Sequence, residues 1–453
     1  MKKTVIFSVI ILAAVMPIVA QPAKPKEKVK PEAPQKVLVT PYGFVRNYFN
    51  FDSRRTMTVC GGEYNMIPYD EDWNMTEAQA ALYGSDERFD RNAVPEAHLL
   101  ALSTRFGFRL EGPQLLGAQA SGVVEADFAG FGNTNTVLRL RLAYMALDWT
   151  SELYTHRLVI GQDWHPLSGS IMPEVLGMAA GAPFRPHSRT PQVSYTCWLP
   201  WRFGVTASAL WQYQFTSPGP DGESAAYANR SLVPELFMGL NYKTENVYAQ
   251  IGVDYTNLDI RREIPVLDAL GTELYRRLSD KRCQSFSPTL YFQYSTGKFA
   301  LKLRSTIAEN LGHLNMLSGY AMVAELGDPS AFCYKPVRSS VSYVNFAYGN
   351  IWRADLFLGY QKNLGLAGDY NILDFALTGA NNLYMKKGVD NINSFYRVAP
   401  SLSFNTKAFN IGLEYEWTAV TYGDLQSDAT VANNDNLRVV SNHRICALVK
   451  YNF

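Results

Sequence analysis

The chain has 453 residues, with 42 Lys+Arg against 41 Asp+Glu, a balance that gives no electrostatic footprint for a nucleic-acid partner. Five cysteines with no CxxC pair argue against a disulfide scaffold and a zinc site, so neither a metal nor a cofactor is expected. Past residue 20 no run of 18 apolar residues occurs, which excludes a helical membrane protein, yet the aromatic content of 13% is high for a soluble one.

The first twenty residues read as a signal peptide. Lys2 and Lys3 precede an apolar run from Val5 to Met16, and Ala20 supplies the small residue that signal peptidase needs. The run is too short to span a bilayer, and no cysteine follows it to accept a lipid. Residues 21–36 hold four prolines, five lysines and no aromatic, so they predict an extended periplasmic tether rather than a core. Residues 37–453 then read as one domain.

That domain alternates with period two. In the stretch 202–215, Phe203, Val205, Ala207, Ala209, Trp211, Tyr213 and Phe215 share one face, and Gly204, Thr206, Ser208, Leu210, Gln212 and Gln214 share the other. The polar face is Gly, Ser, Thr, Asn and Gln with sparse charge, which suits a wet lumen better than the surface of a soluble sheet. Sixteen strands are predicted: 38–51, 98–111, 119–130, 137–148, 157–165, 191–199, 202–215, 231–243, 247–260, 285–295, 299–311, 337–347, 351–363, 392–405, 409–422 and 438–453. Every second connection is 2 to 8 residues long, and the others, one excepted, run from 15 to 46. Short periplasmic turns alternating with long outer loops are the mark of a transmembrane barrel. The predicted fold is all-β, a 16-stranded antiparallel transmembrane β-barrel with an inward-folded third outer loop.

The last strand alternates Ile445, Ala447, Val449, Tyr451 and Phe453 and stops on the phenylalanine. Tyr451 and Phe453 resemble the C-terminal signal by which the barrel-assembly machinery recognises its clients. Outer-membrane lipid and lipopolysaccharide are the expected surroundings.

Several segments carry a family likeness. Pro41-Tyr-Gly-Phe-Val-Arg-Asn-Tyr48, Gly122-Val-Val-Glu-Ala-Asp-Phe128, Leu138-Arg-Leu-Arg-Leu-Ala-Tyr144, Val159-Ile-Gly-Gln-Asp-Trp164 and Arg189-Thr-Pro-Gln-Val193 resemble the DcaP-like porins of the Bacteroidota type. The resemblance covers residues 37–195 in sequence, and only topology beyond them. It implies a homotrimeric diffusion channel in the cell outer membrane that leans toward anionic, often carboxylate, solutes. Members of that family can carry an N-terminal coiled coil, where this chain has only the Pro/Lys tether.

With the apolar set outside, Arg105, Arg109, Arg139, Arg141 and Arg157 point into the lumen, as do Lys302, Arg304, Arg353, Arg397, Arg444 and Lys450. The inward acids are Glu125, Asp127, Asp163, Glu235, Asp254, Asp355, Glu414 and Glu416. The excess of cations predicts a modest anion preference through field focusing. Cross-strand pairing of Glu125 and Asp127 with Arg105, Arg139 and Arg141 is the competing expectation. In loop 166–190, the small residues Gly169, Gly177, Ala179, Ala180, Gly181 and Ala182 suit a slim constriction carrying Glu174, Arg185, His187 and Arg189.

Other functions have less behind them. Ser441 and His443 share a face of the last strand, as a barrel phospholipase would need, but no third catalytic group goes with them, so no enzyme is expected. A surface adhesin, or a structural barrel without conductance, is the alternative to a channel. The aromatics are assigned to girdles on the lipid face. A Cys283–Cys333 disulfide between neighbouring outer loops is a further expectation, with Cys60 as an alternative partner of either and three reduced cysteines as the competing expectation.

Overall fold

In a computed structural model the described residues are 37–62, 64–130, 137–168, 172–177, 181–267, 272–325, 328–368, 382–386, 389–424 and 431–453. The expected signal peptide and tether lie outside the described residues, as do Gly169, Ala179 and Ala180 of the third outer loop.

The strands are β1 (Leu38–Asp52), β2 (Glu96–Leu100 and then Arg105–Leu115), β3 (Ala118–Gly130), β4 (Val137–Thr150), β5 (Thr155–Trp164), β6 (Arg189–Trp198), β7 (Phe203–Leu210) and β8 (Glu235–Lys243). They continue as β9 (Val247–Leu258), β10 (Cys283–Thr296), β11 (Phe299–Glu309), β12 (Asp328–Gly349), β13 (Trp352–Leu366), β14 (Ile392–Asn405), β15 (Phe409–Asp424) and β16 (Asp435–Asn452). Each pairs antiparallel with its chain neighbours, and β1 closes on β16 from Phe44↔Asn452 to Asp52↔Arg444. A closed sheet leaves no edge, so every strand satisfies its backbone groups within the barrel, as a lipid environment demands.

Alternation sets the two faces. On β15, Phe409, Ile411, Leu413 and Tyr415 are exposed outward, while Glu414 and Glu416, on the opposite parity, are buried. The short turns use local chemistry: between β2 and β3, Leu116 and Gly117 both take positive φ (52° and 77°), the backbone of a two-residue turn that follows the strand twist.

The larger departures from the sequence reading fall at the long-loop end; at the short-turn end β2 runs to Leu115 rather than 111. Strand β7 stops at Leu210, where residues through Phe215 were expected to continue it. Strand β8 starts at Glu235 rather than 231, because Ala226–Arg230 forms a short helix. Strand β12 extends back to Asp328 and gains an extra partner, Gly319–Glu325. The first outer loop holds a hairpin, Thr56–Val59 with Tyr64–Pro68, and a helix, Glu77–Tyr83, started by a Thr76/Gln79 capping box.

Two further expectations are corrected. The aromatics do not all face lipid: Tyr48, Tyr291, Tyr343, Phe357 and Phe395 are buried inward, where they meet the inserted loops. No disulfide forms among the described residues. Cys283 packs with Tyr320, Phe332 and Tyr334, whereas Cys333 packs against Val337 and Leu366 in a separate cluster.

Candidate functional site

The candidate site is the lumen, and its wall over β1–β5 is a ladder of cations on aromatic rings. Nearest the short-turn end, Arg109 lies over Tyr42 at 4.4 Å and is itself exposed. Next, Arg46, Arg105 and Lys450 gather around the Phe44 ring at 4.7, 4.9 and 4.3 Å. Such contacts hold guanidinium and ammonium groups in place without neutralising them.

Deeper in, β3 supplies acids. Glu125 faces Leu142 while Ala126 faces Leu140, so Arg141 is an extra, bulged residue of β4. The bulge places Arg141 between the two acids, with Nε 2.7 Å from Glu125 Oε1 and Nη1 2.7 Å from Asp127 Oδ2. Gln162 of β5 satisfies the bulge by donating to the carbonyls of Leu140 and Arg141. Arg139 grips Asp127 through two bonds of 2.9 and 2.7 Å, and Arg105 reaches Glu125 at 3.4 Å. The Tyr42 hydroxyl donates to Glu125. The cross-strand pairing is therefore real for these three arginines. Arg157 pairs with Asp148 at 2.7 Å, and Asp163 accepts the Trp164 N–H.

The third outer loop folds across the lumen. Its Glu174 carboxylate meets Lys302 at 2.7 Å and Arg353 at 3.3 Å, and its backbone N–H donates to Asn345. The N–H groups of Leu176 and Gly177 donate to Glu414. Two wall glycines leave room for the loop: a Cβ on Gly359 would come within 2.6 Å of the Phe184 ring, and one on Gly412 within 2.5 Å of Leu176. Below the loop, Glu174, Arg353, Asp355, Ser403 and Asn410 line a cleft of about 240 Å³.

The remaining loop charges converge with Arg141 of β4 on Trp164. Arg189, Arg141 and Arg185 lie 4.8, 5.9 and 6.0 Å from its ring. Arg185 bonds to the Pro186 carbonyl and to His187 Nδ1, and burial lowers its pKa only to about 10, so it stays charged. Arg189 donates from Nε to Gln214 Oε1, and neither Nη1 nor Nη2 bonds to any described residue. His187 does not add charge as expected. Burial first, then Arg185, Arg189, Arg141 and Arg139, hold its pKa well below the ordinary imidazole range. Five guanidiniums thus surround two carboxylates at this level.

The first outer loop is a lumen element that sequence reasoning missed. Its Tyr64, Met66 and Ile67 are fully buried, with Tyr64 OH 3.0 Å from His187 Nε2. Asn65 donates to Glu416, and Arg397 to the Met66 carbonyl. Apolar residues spaced through a predicted loop, Met57, Val59, Tyr64, Met66 and Ile67, were the available signal.

At the C-terminus, Phe453 bonds reciprocally with the Gly43 backbone, closing the last strand on the first, and the Tyr451 ring lies tilted 5.0 Å from that of Phe409 on the outer face. His443 Nδ1 pairs with the Tyr415 hydroxyl at 2.7 Å, so Ser441 is not its partner.

No family model and no curated protein matches the sequence. Among solved structures, the outer membrane channel DcaP of Acinetobacter baumannii aligns with a TM-score of 0.61 at 16% identity, over 92% of this chain and 97% of that one. An anion-selective porin from Comamonas acidovorans aligns at 0.48 with 10% identity, over 92% of this chain and 100% of that one. OmpF of Salmonella typhi aligns at 0.46 with 10% identity, over 92% and 97%. By the first of these alignments, the chain has the fold of the DcaP outer membrane channel.

Proposed function

We propose that this chain is an outer-membrane porin, a passive channel for small polar solutes with a modest preference for anions such as carboxylates. The observation that carries this reading is Arg189. Its guanidinium is buried beside Trp164 with both terminal nitrogens unbonded to described residues, next to arginines that outnumber the local acids. A buried guanidinium without an acid partner keeps its charge in a low-dielectric wall, where its field raises the concentration of anions in the lumen beside it. The cation–aromatic ladder from Arg109 to Arg189 would hand an anion along one wall.

On this reading the apolar outer face sits in lipid, and a homotrimer is the assembly implied by the family likeness. Catalysis has no place in it. Liposome swelling tests the reading with a panel of neutral sugars, amino acids and mono- and dicarboxylates of matched size. Faster entry of carboxylates than of neutral solutes is expected; equal exclusion of all of them would reject a channel.

A further inference from the structure

A second polar cluster lies at the root of the third outer loop. His165 follows β5, Glu235 opens β8, Asp254 lies in β9, and His313 sits in the single turn Gly312–Leu314 after β11. All four are buried. His165 Nε2 is 2.8 Å from Glu235 Oε1 and 3.8 Å from Asp254 Oδ1, and His313 Nε2 is 2.9 Å from Glu235 Oε2. One ligand atom each from His165, Glu235 and Asp254 lies within 4.8 Å of the others. Ligands held tetrahedrally at zinc distances stand about 3.4 Å apart, and the two separations from His165 bracket that value.

A separate observation concerns Asp254 alone. It is 1% exposed, and neither of its oxygens accepts a hydrogen bond from any described residue. A buried carboxyl oxygen that accepts no hydrogen bond is a costly arrangement, and ionising the group beside a second carboxylate costs more. Arg304 acts on His165, but its Nη2 turns to the Leu167 carbonyl, and its Nε and Nη1 bond to no described residue. A divalent cation would balance the two carboxylates.

We propose that His165 Nε2, Glu235 and Asp254 bind one divalent transition cation of the zinc class, with His313 orienting Glu235 by a hydrogen bond. The imidazole favours such an ion over magnesium or calcium. A cavity of about 380 Å³ lined by Gln212, Val233 and Glu235 adjoins the cluster. Binding has a consequence for the constriction. The Leu167 N–H donates to His165 Nδ1 at 3.1 Å, so without a cation the imidazole proton sits on Nε2. Loading replaces that proton by the cation; the proton passes to Nδ1 and the Leu167 hydrogen bond opens. Occupancy is thereby coupled to the first turn of the third loop.

The test is a titration of tag-free, chelator-washed, full-length barrel in detergent with Co²⁺, followed by displacement with Zn²⁺. The expected result is one Co²⁺ per chain with visible d–d absorption, removed by one equivalent of Zn²⁺. Asp254→Asn should abolish it, and His313→Gln should weaken binding about 10- to 100-fold. His443→Gln, on the outer face, should leave it unchanged. A wild-type barrel that gives no saturable absorption overturns the proposal. So does Asp254→Asn that folds, by heat-modifiable mobility, and binds as the wild type does. If that variant does not fold, undiminished affinity in His313→Gln overturns the proposal and weakened affinity supports it.

Discussion

The guanidinium of Arg189 lies 4.8 Å from the centre of the Trp164 ring, and both of its terminal nitrogens lack a partner among the described residues. Its neighbour Arg141 is bonded to Glu125 and Asp127. The two arginines should therefore behave differently when removed. Arg189→Gln should shift the reversal potential in a salt gradient toward cations with little effect on stability. Arg141→Ala leaves two buried carboxylates short of a partner, which costs about 3–5 kcal/mol. Equal selectivity shifts with equal stability would contradict the distinction.

Glu174 holds the third loop to β11 and β13 through Lys302 and Arg353. Glu174→Ala should raise single-channel conductance and its noise, since the loop loses an anchor, and should strengthen anion preference because two cations are released. Unchanged single-channel records would show that Leu176 and Gly177 on Glu414 suffice as anchors.

His187 is kept neutral by burial and by four guanidiniums, so its pKa in the folded state is lower than the unfolded value of about 6.5. The unfolded chain then binds a proton that the folded one does not. Stability should fall as pH drops below about 6.5, and His187→Gln should reduce that slope. Urea midpoints between pH 8 and 5 measure it; identical slopes in both proteins would contradict the neutral assignment.

Phe453 exchanges two backbone hydrogen bonds with Gly43, whose missing side chain accommodates the Phe453 ring: a Cβ there would lie 2.6 Å from it. Deleting Phe453, or Gly43→Ala, should lower the amount of folded barrel in the membrane while leaving the conductance of each folded channel intact. Normal levels of heat-modifiable protein in both variants would count against a role in assembly.

The strand frame was legible because alternation and turn spacing are local. β14 was placed at 392–405 and is Ile392–Asn405. The inward placement of Arg105, Arg139 and Arg141 followed from the same parity, although the bulge that aims Arg141 at both acids was not visible: an inserted residue leaves no trace in composition. Contacts between distant segments were the larger gap. Nothing in residues 53–95 says that Tyr64 will meet His187, and Gly359 carries no mark of the Phe184 ring it makes room for. His165 and His313, 148 positions apart, looked scattered until β5, β8 and β11 brought them to one carboxylate. The aromatics were assigned almost wholly to the lipid face, although strand parity sets Phe357 beside Asp355 and Phe395 beside Arg397 on the inner one, where both rings pack against Phe184 of the loop.

The central claim is that the lumen conducts and that its unneutralised arginines favour anions. Purified protein in a planar bilayer under a tenfold KCl gradient tests it most directly. The account predicts discrete conductance steps and a reversal potential of the sign set by chloride permeation. A silent bilayer, or a reversal potential of the sign set by potassium, would contradict it.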